Sequence, residues 1–76
     1  MRNNTLEKLF LSLSNAKYNP SYDEESENIL VAADGYDWEI CESAAMEYFG
    51  VKREDGFSEP EYYSCNGIEE VLNLFQ

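Results

Sequence analysis

The residues in this 76-residue chain with types suited to chemistry are sixteen carboxylates and two thiols. There is no histidine, so the commonest general base, pH switch and transition-metal ligand is missing. The seven serines, and the thiols of Cys41 and Cys65, therefore lack the usual group that activates a nucleophile. A serine–lysine arrangement would need Lys8, Lys17 or Lys52 in a dry pocket, and no pattern marks one. The cysteines fit no zinc spacing and are too few for a disulfide framework. They read as reduced, semi-buried thiols, with one disulfide as the alternative. Glycosidase-type carboxyl pairs need a cleft with two acids about 5 to 10 Å apart, and so short a chain seldom builds one. Calcium is the better carboxylate chemistry, at Asp23-Glu24-Glu25-Ser26-Glu27 and at Asp34 to Glu39. Neither run matches the EF-hand loop. Gly35, Gly50, Gly56 and Gly67 stand singly, each where a turn or helix end explains it, so no phosphate loop is present. The expectation is a protein without catalytic residues, cofactor or metal.

What needs explaining is charge. Five bases face sixteen acids, a formal net charge of -11. Direct nucleic-acid binding is disfavoured, because phosphates need Lys and Arg to neutralise them. Docking on an anionic membrane is disfavoured likewise, and no stretch approaches the roughly 20 apolar residues of a membrane span. The apolar run Leu9 to Leu13 is too short for a signal peptide, so a cytoplasmic protein is expected. The chain is not a disordered acidic tail, since 43% of it is hydrophobic and 14% aromatic.

Length allows one domain, 1–76, with a small core. Leu6, Leu9, Phe10 and Leu13 share one face of a helix at about 5 to 15, with Asn4 and Glu7 as a capping box. Residues 16–27 read as a loop and 28–33 as a strand. The next segment has two readings. Asp34-Gly35, with Tyr36, Trp38 and Ile40 alternating, signals a hairpin. A helix from Trp38 to Phe49, capped by Asp37 and stopped at Gly50, accounts for more residues and is preferred. Residues 52–60 read as loop and Glu61 to Cys65 as extended. A last helix follows, with Asn66 as cap, Glu69 completing a box, and Ile68, Val71, Leu72 and Phe75 as its stripe. The expected fold is a small α+β domain, two or three short helices on a minimal sheet or hairpin. Its expected core adds Ile29, Val31, Trp38, Cys41, Ala45, Tyr48, Val71, Leu72 and Phe75 to the first stripe. Leu11, Leu30 and Leu74 would be left needing cover, which a homodimer would supply.

The acids are uncompensated over long stretches. No base lies between Lys17 and Lys52, nor after Arg53. Such a surface repels itself, and it exceeds the net charge of about 2 to 8 that solubility asks of a small domain. A halophilic source, or acidity without electrostatic function, are the bland explanations. The sharper one is that carboxylates stand in for DNA phosphates. DNA carries one phosphate per roughly 3.4 Å of axis on each strand. On the preferred helix Glu39, Glu42 and Glu47 face outward with Asp37 at its start, and Asp23, Glu24, Glu25, Glu27, Glu59 and Glu61 extend the row. A basic nucleic-acid-binding protein would be the partner. The second reading is an interaction module anchored by Tyr62 and Tyr63, because tyrosine is enriched in hot spots.

In size and composition the chain resembles small acidic inhibitors made by phages and mobile elements: anti-restriction, anti-CRISPR and glycosylase-inhibitor proteins. That resemblance implies a DNA mimic acting in the host-cell cytoplasm, and it carries over no residue. Glu61-Tyr62-Tyr63 before a short helix resembles the acids and tyrosine pair of colicin-type immunity proteins.

Overall fold

The computed structural model describes residues 4–43 and 48–75. Helix α1 (Asn4–Asn15) is followed by strands β1 (Ser21–Asp23), β2 (Asn28–Ala33), β3 (Tyr36–Glu42), β4 (Phe49–Glu54) and β5 (Glu61–Cys65), then helix α2 (Ile68–Leu74). The strands form one antiparallel sheet in chain order, β1-β2-β3-β4-β5. It is an α+β domain of two helices on a five-stranded meander, a larger sheet than the sequence suggested. No described helix is long and apolar enough to cross a membrane.

The segment with two readings is a hairpin. Asp34 (φ 55°) and Gly35 (φ 80°) both adopt left-handed backbone, as a two-residue type I′ turn requires. The expected helix over Trp38–Phe49 does not form. Trp38 and Ile40 point to one side and Asp37, Glu39 and Cys41 to the other, the period of a strand. Strands on both sides satisfy its backbone, which an isolated helix would do alone. Gly50 is no helix stop. It lies within β4 opposite Cys41, and a Cβ there would meet Cys41 Sγ at 3.2 Å. Ala44, Ala45 and Glu47 of that expected helix lie outside the described residues, as does the Asn4 side chain.

Alternation gives the sheet two unlike faces. One carries Ile29, Val31, Trp38, Ile40, Phe49, Val51 and Cys65, all buried. Leu6, Leu9 and Leu13 of α1, Val71 of α2 and Phe75 after it complete that core. Trp38 belongs to it. Its ring stands 4.5 Å from Phe75 and 6.1 Å from Tyr36, and its Nε1–H donates to the Ala33 carbonyl at 3.0 Å. Two expected core residues are corrected: Cys41 and Tyr48 are exposed. Cys41 lies on the far face from the helices and Tyr48 just before β4. Ile40, Phe49, Val51 and Cys65 take their place. Leu74 is half-buried against the core, whereas Leu11 and Leu30 stay exposed.

Both segments read as loops contain strands, β1 and much of β4. The cap of α2 also differs. Gly67 is its N-cap with no side-chain cap bond, and Glu70 rather than Glu69 turns back to accept from the Asn66 N–H.

Left-handed backbone at Gly35 makes a side chain there costly. Gly35→Ala is expected to lower stability by about 1–2 kcal/mol, read from the urea unfolding midpoint.

Candidate functional site

The face turned away from the helices is the surface to examine, because no described element covers it. Register builds it in rows. Ser21, Leu30, Glu39, Lys52 and Tyr62 form a row across all five strands. Ala32, Asp37 and Glu54 form the next, and Cys41, Gly50 and Ser64 lie on the other side. Two shallow concavities open on this face. One, of about 400 Å³, is bordered by Asp23, Leu30, Asp37, Glu39, Lys52 and Glu54. The other, of about 350 Å³, is bordered by Cys41, Tyr48, Lys52 and Tyr62.

Its electrostatics are lopsided. Asp37 stands directly opposite Glu54, a like-charged cross-strand pair that destabilises a sheet. Lys52 is the one base on the face among the described residues. Its Nζ lies 3.6 Å from Glu39 and 3.7 Å from Glu54. Glu39 also accepts from Asn28 Nδ2 at 2.9 Å. Asp37 has no bonded partner among the described residues. Lys8 and Lys17 belong to the opposite layer, on and just after α1.

The expected partner-binding acids therefore separate. Glu39, Glu42 and Glu47 do not share a helix face. Asp37 and Glu39 are on the open face. Glu42 lies at the end of β3 on the helix-facing side, and Glu47 is outside the described residues. Asp23 has an internal role. Its Oδ1 accepts from the Glu25 N–H at 3.1 Å and its Oδ2 from Ser26 Oγ at 2.9 Å, which closes the β1–β2 turn. That turn holds Glu24, Glu25 and Glu27 exposed at one end of the sheet.

At the opposite end stand Asp34, Glu54, Asp55, Glu59 and Glu61. Arg53 is the base there. Its guanidinium lies 4.3 Å from the Tyr36 ring centre, 5.7 Å from Trp38 and 5.6 Å from Tyr63, and it pairs with Glu61. The Tyr63 hydroxyl donates to Glu61 Oε2 at 2.6 Å. That bond, then Arg53, holds the Glu61 carboxyl below the usual range, and the same bond pushes Tyr63 up. Glu61 is thus part of the fold rather than a free contact. Asp55 is also held low, by the backbone N–H groups of Ser58 and Phe57. The turn it caps carries Phe57, 97% exposed.

Tyr62 and Tyr63 divide by alternation. Tyr63 packs against the core, and Tyr62 is 73% exposed on the open face. Cys65 is buried under the helices, and burial followed by Glu70 raises its thiol. Cys41 and Cys65 are free and on opposite faces of the sheet, so they do not bridge. Among the described residues no group of three or more His, Cys, Asp or Glu could hold a metal.

No protein-family model matches the chain. Neither the curated proteins nor the solved structures hold a match to it. Function is read from the surface itself. Sequence reasoning missed Glu54 and Phe57 as surface features, whereas Leu30 is exposed as expected. The Asp55-Gly56 turn was the available signal for Phe57, and the β4 register is what brings Glu54 beside Asp37.

The fold favours ionised Glu61, so its contribution to stability is present above the ordinary carboxylate range and lost as pH falls through the lowered value. In Tyr63→Phe, carboxyl NMR should find Glu61 titrating closer to the ordinary glutamate range. An unmoved titration would remove Tyr63 as the main cause.

Proposed function

We propose that this protein is a non-enzymatic binding module whose acidic open sheet face competes with DNA for the basic groove of a nucleic-acid-binding protein. The observation that carries this is Asp37 facing Glu54 across β3 and β4, with Glu39 beside them and, among the described residues, Lys52 alone to offset three carboxylates. Directly opposed residues in a sheet have Cβ atoms about 4.5–5.5 Å apart. A domain this small has little stability to spend on like-charge repulsion. A basic groove converts that repulsion into attraction and speeds encounter. Glu24, Glu25 and Glu27 at one end of the sheet, and Asp34 and Glu59 at the other, extend the acidic field past the face. The small acidic inhibitors of phages and mobile elements, which the chain resembles in size and composition, act in this way.

A second reading rests on Tyr62. An exposed ring at the β5 end of a five-strand row suits an anchor at a protein interface, as in an immunity-protein-like inhibitor or adaptor. The two readings differ in salt response. Carboxylate-driven binding weakens steeply as salt screens it, whereas anchor-driven binding does so much less.

Capture from host lysate identifies the partner, and competition by duplex DNA tests the reading. DNA should displace the protein. The triple reversal Asp37→Lys, Glu39→Lys, Glu54→Lys should weaken binding about a hundredfold. A partner that holds DNA and this protein together would overturn mimicry. A large loss in Tyr62→Ala with little loss in the triple reversal would favour the anchor.

A further inference from the structure

The two edges of the sheet are not alike. β1, at one edge, has three residues, follows Pro20, and is preceded by left-handed backbone at Lys17 and Asn19. A strand of three residues offers little edge for another chain to pair with. β5, at the other, has five residues and pairs only with β4. Pro60 precedes it as Pro20 precedes β1, but none of its five residues is proline or lysine, so beyond Glu61 its greater length is open to strand addition.

The phase of the ladder identifies which groups are open. The Ser43 N–H donates to the Tyr48 carbonyl at 2.9 Å. Residues 50, 52 and 54 of β4 therefore turn their amides toward β3, and 49, 51 and 53 toward β5. The two-residue turn at Asp34-Gly35 sets the same phase from the other side, because it closes on the bonded pair Ala33 and Tyr36. On β5, Glu61, Tyr63 and Cys65 bond back to β4. The N–H and C=O groups of Tyr62 and Ser64 face outward, and both residues are exposed.

Charge selects the occupant. Exposed Glu59 stands at one end of this edge and exposed Glu69 just past the other, beside Glu61 and Glu70, which are bonded within the fold, and no base follows Arg53. A second copy adding antiparallel would bring the acids at one end of β5 against those at the other end of its twin. A cationic strand meets complementary charge at both ends. Tyr62 adds an exposed ring on which an arginine or lysine can stack.

We propose that the β5 edge takes up an extended Lys/Arg-rich segment of a partner protein as a sixth antiparallel strand, paired to the backbone of Tyr62 and Ser64. This stands apart from DNA competition, since the segment need not come from a nucleic-acid-binding protein.

The probe is an eight-residue peptide alternating lysine and valine, measured by calorimetry and by amide NMR on the intact protein. Binding should shift and protect the Tyr62 and Ser64 amides. The same peptide with its two central amides N-methylated keeps its charge and loses a donor on each edge, and should bind about tenfold more weakly. Ser64→Pro removes an outward N–H and no β4 bond, so it should retain the fold and lose the peptide to a similar degree. Ser64→Ala should bind as the native chain does. If Ser64→Pro unfolds, the methylated peptide alone decides. Equal binding of the methylated and unmethylated peptides would overturn the proposal, as would shifts centred on Asp37 and Glu39, or self-association through β5 that excludes the peptide. None of these outcomes bears on displacement by duplex DNA.

Discussion

The alternation of side chains along β2, β3 and β4 is the constraint from which the rest of the molecule follows. It sends Ile29, Val31, Trp38, Ile40, Phe49 and Val51 to one side, and among the described residues helices of twelve and seven residues cover that side. One face can be dry and the other must be wet. Hydrophobic burial explains the apolar residues of the covered face, with Glu42, Arg53 and Glu61 at its margins. It explains little of the open one, where a packing argument would place alternating charges and the sequence places acids. Function is therefore sought on the open face and along the edges of the sheet.

The two bases of β4 show how far the chain tolerates its charge. Lys52 points to the open face and Arg53 to the helical side, one position apart and on opposite surfaces. Arg53 is absorbed by three aromatic rings and Glu61, which closes the end of the core beside Trp38. Lys52 is shared between Glu39 and Glu54. Neither answers Asp37, and the acids of the β1–β2 turn have no base nearby in sequence. Salt at this surface would relieve repulsion in the free protein and weaken attraction in a complex.

Much of the fold was legible in the sequence where a local signal and the tertiary arrangement agree. The stripe Leu6, Leu9, Leu13 gave α1, the run 28–33 gave β2, and Ile68, Val71 and Phe75 gave α2. The failure at 38–49 has a physical cause. Trp38, Cys41, Tyr48 and Phe49 fall by coincidence at helical spacings, while the true signal was the two-residue turn Asp34-Gly35 before Tyr36, Trp38 and Ile40. Turn chemistry outweighed periodicity because both neighbouring strands were available to complete the ladder. Strand β4 was hidden, since Gly50, Lys52 and Arg53 look like a helix end and a loop until β3 and β5 flank them. The candidate site moved with that correction. Asp37, Glu39 and Tyr62 stayed on an accessible surface, whereas Asp23 and Glu61 proved to be bonded into the fold.

The meander order has a kinetic side. Each strand pairs with its successor, so the four connections span residues 24–27, 34–35, 43–48 and 55–60. Closing such short loops costs little chain entropy, and folds dominated by near-neighbour contacts assemble quickly. The long closures are made by the C-terminal segment, where α2 meets α1 and Phe75 packs on Tyr18 and Trp38.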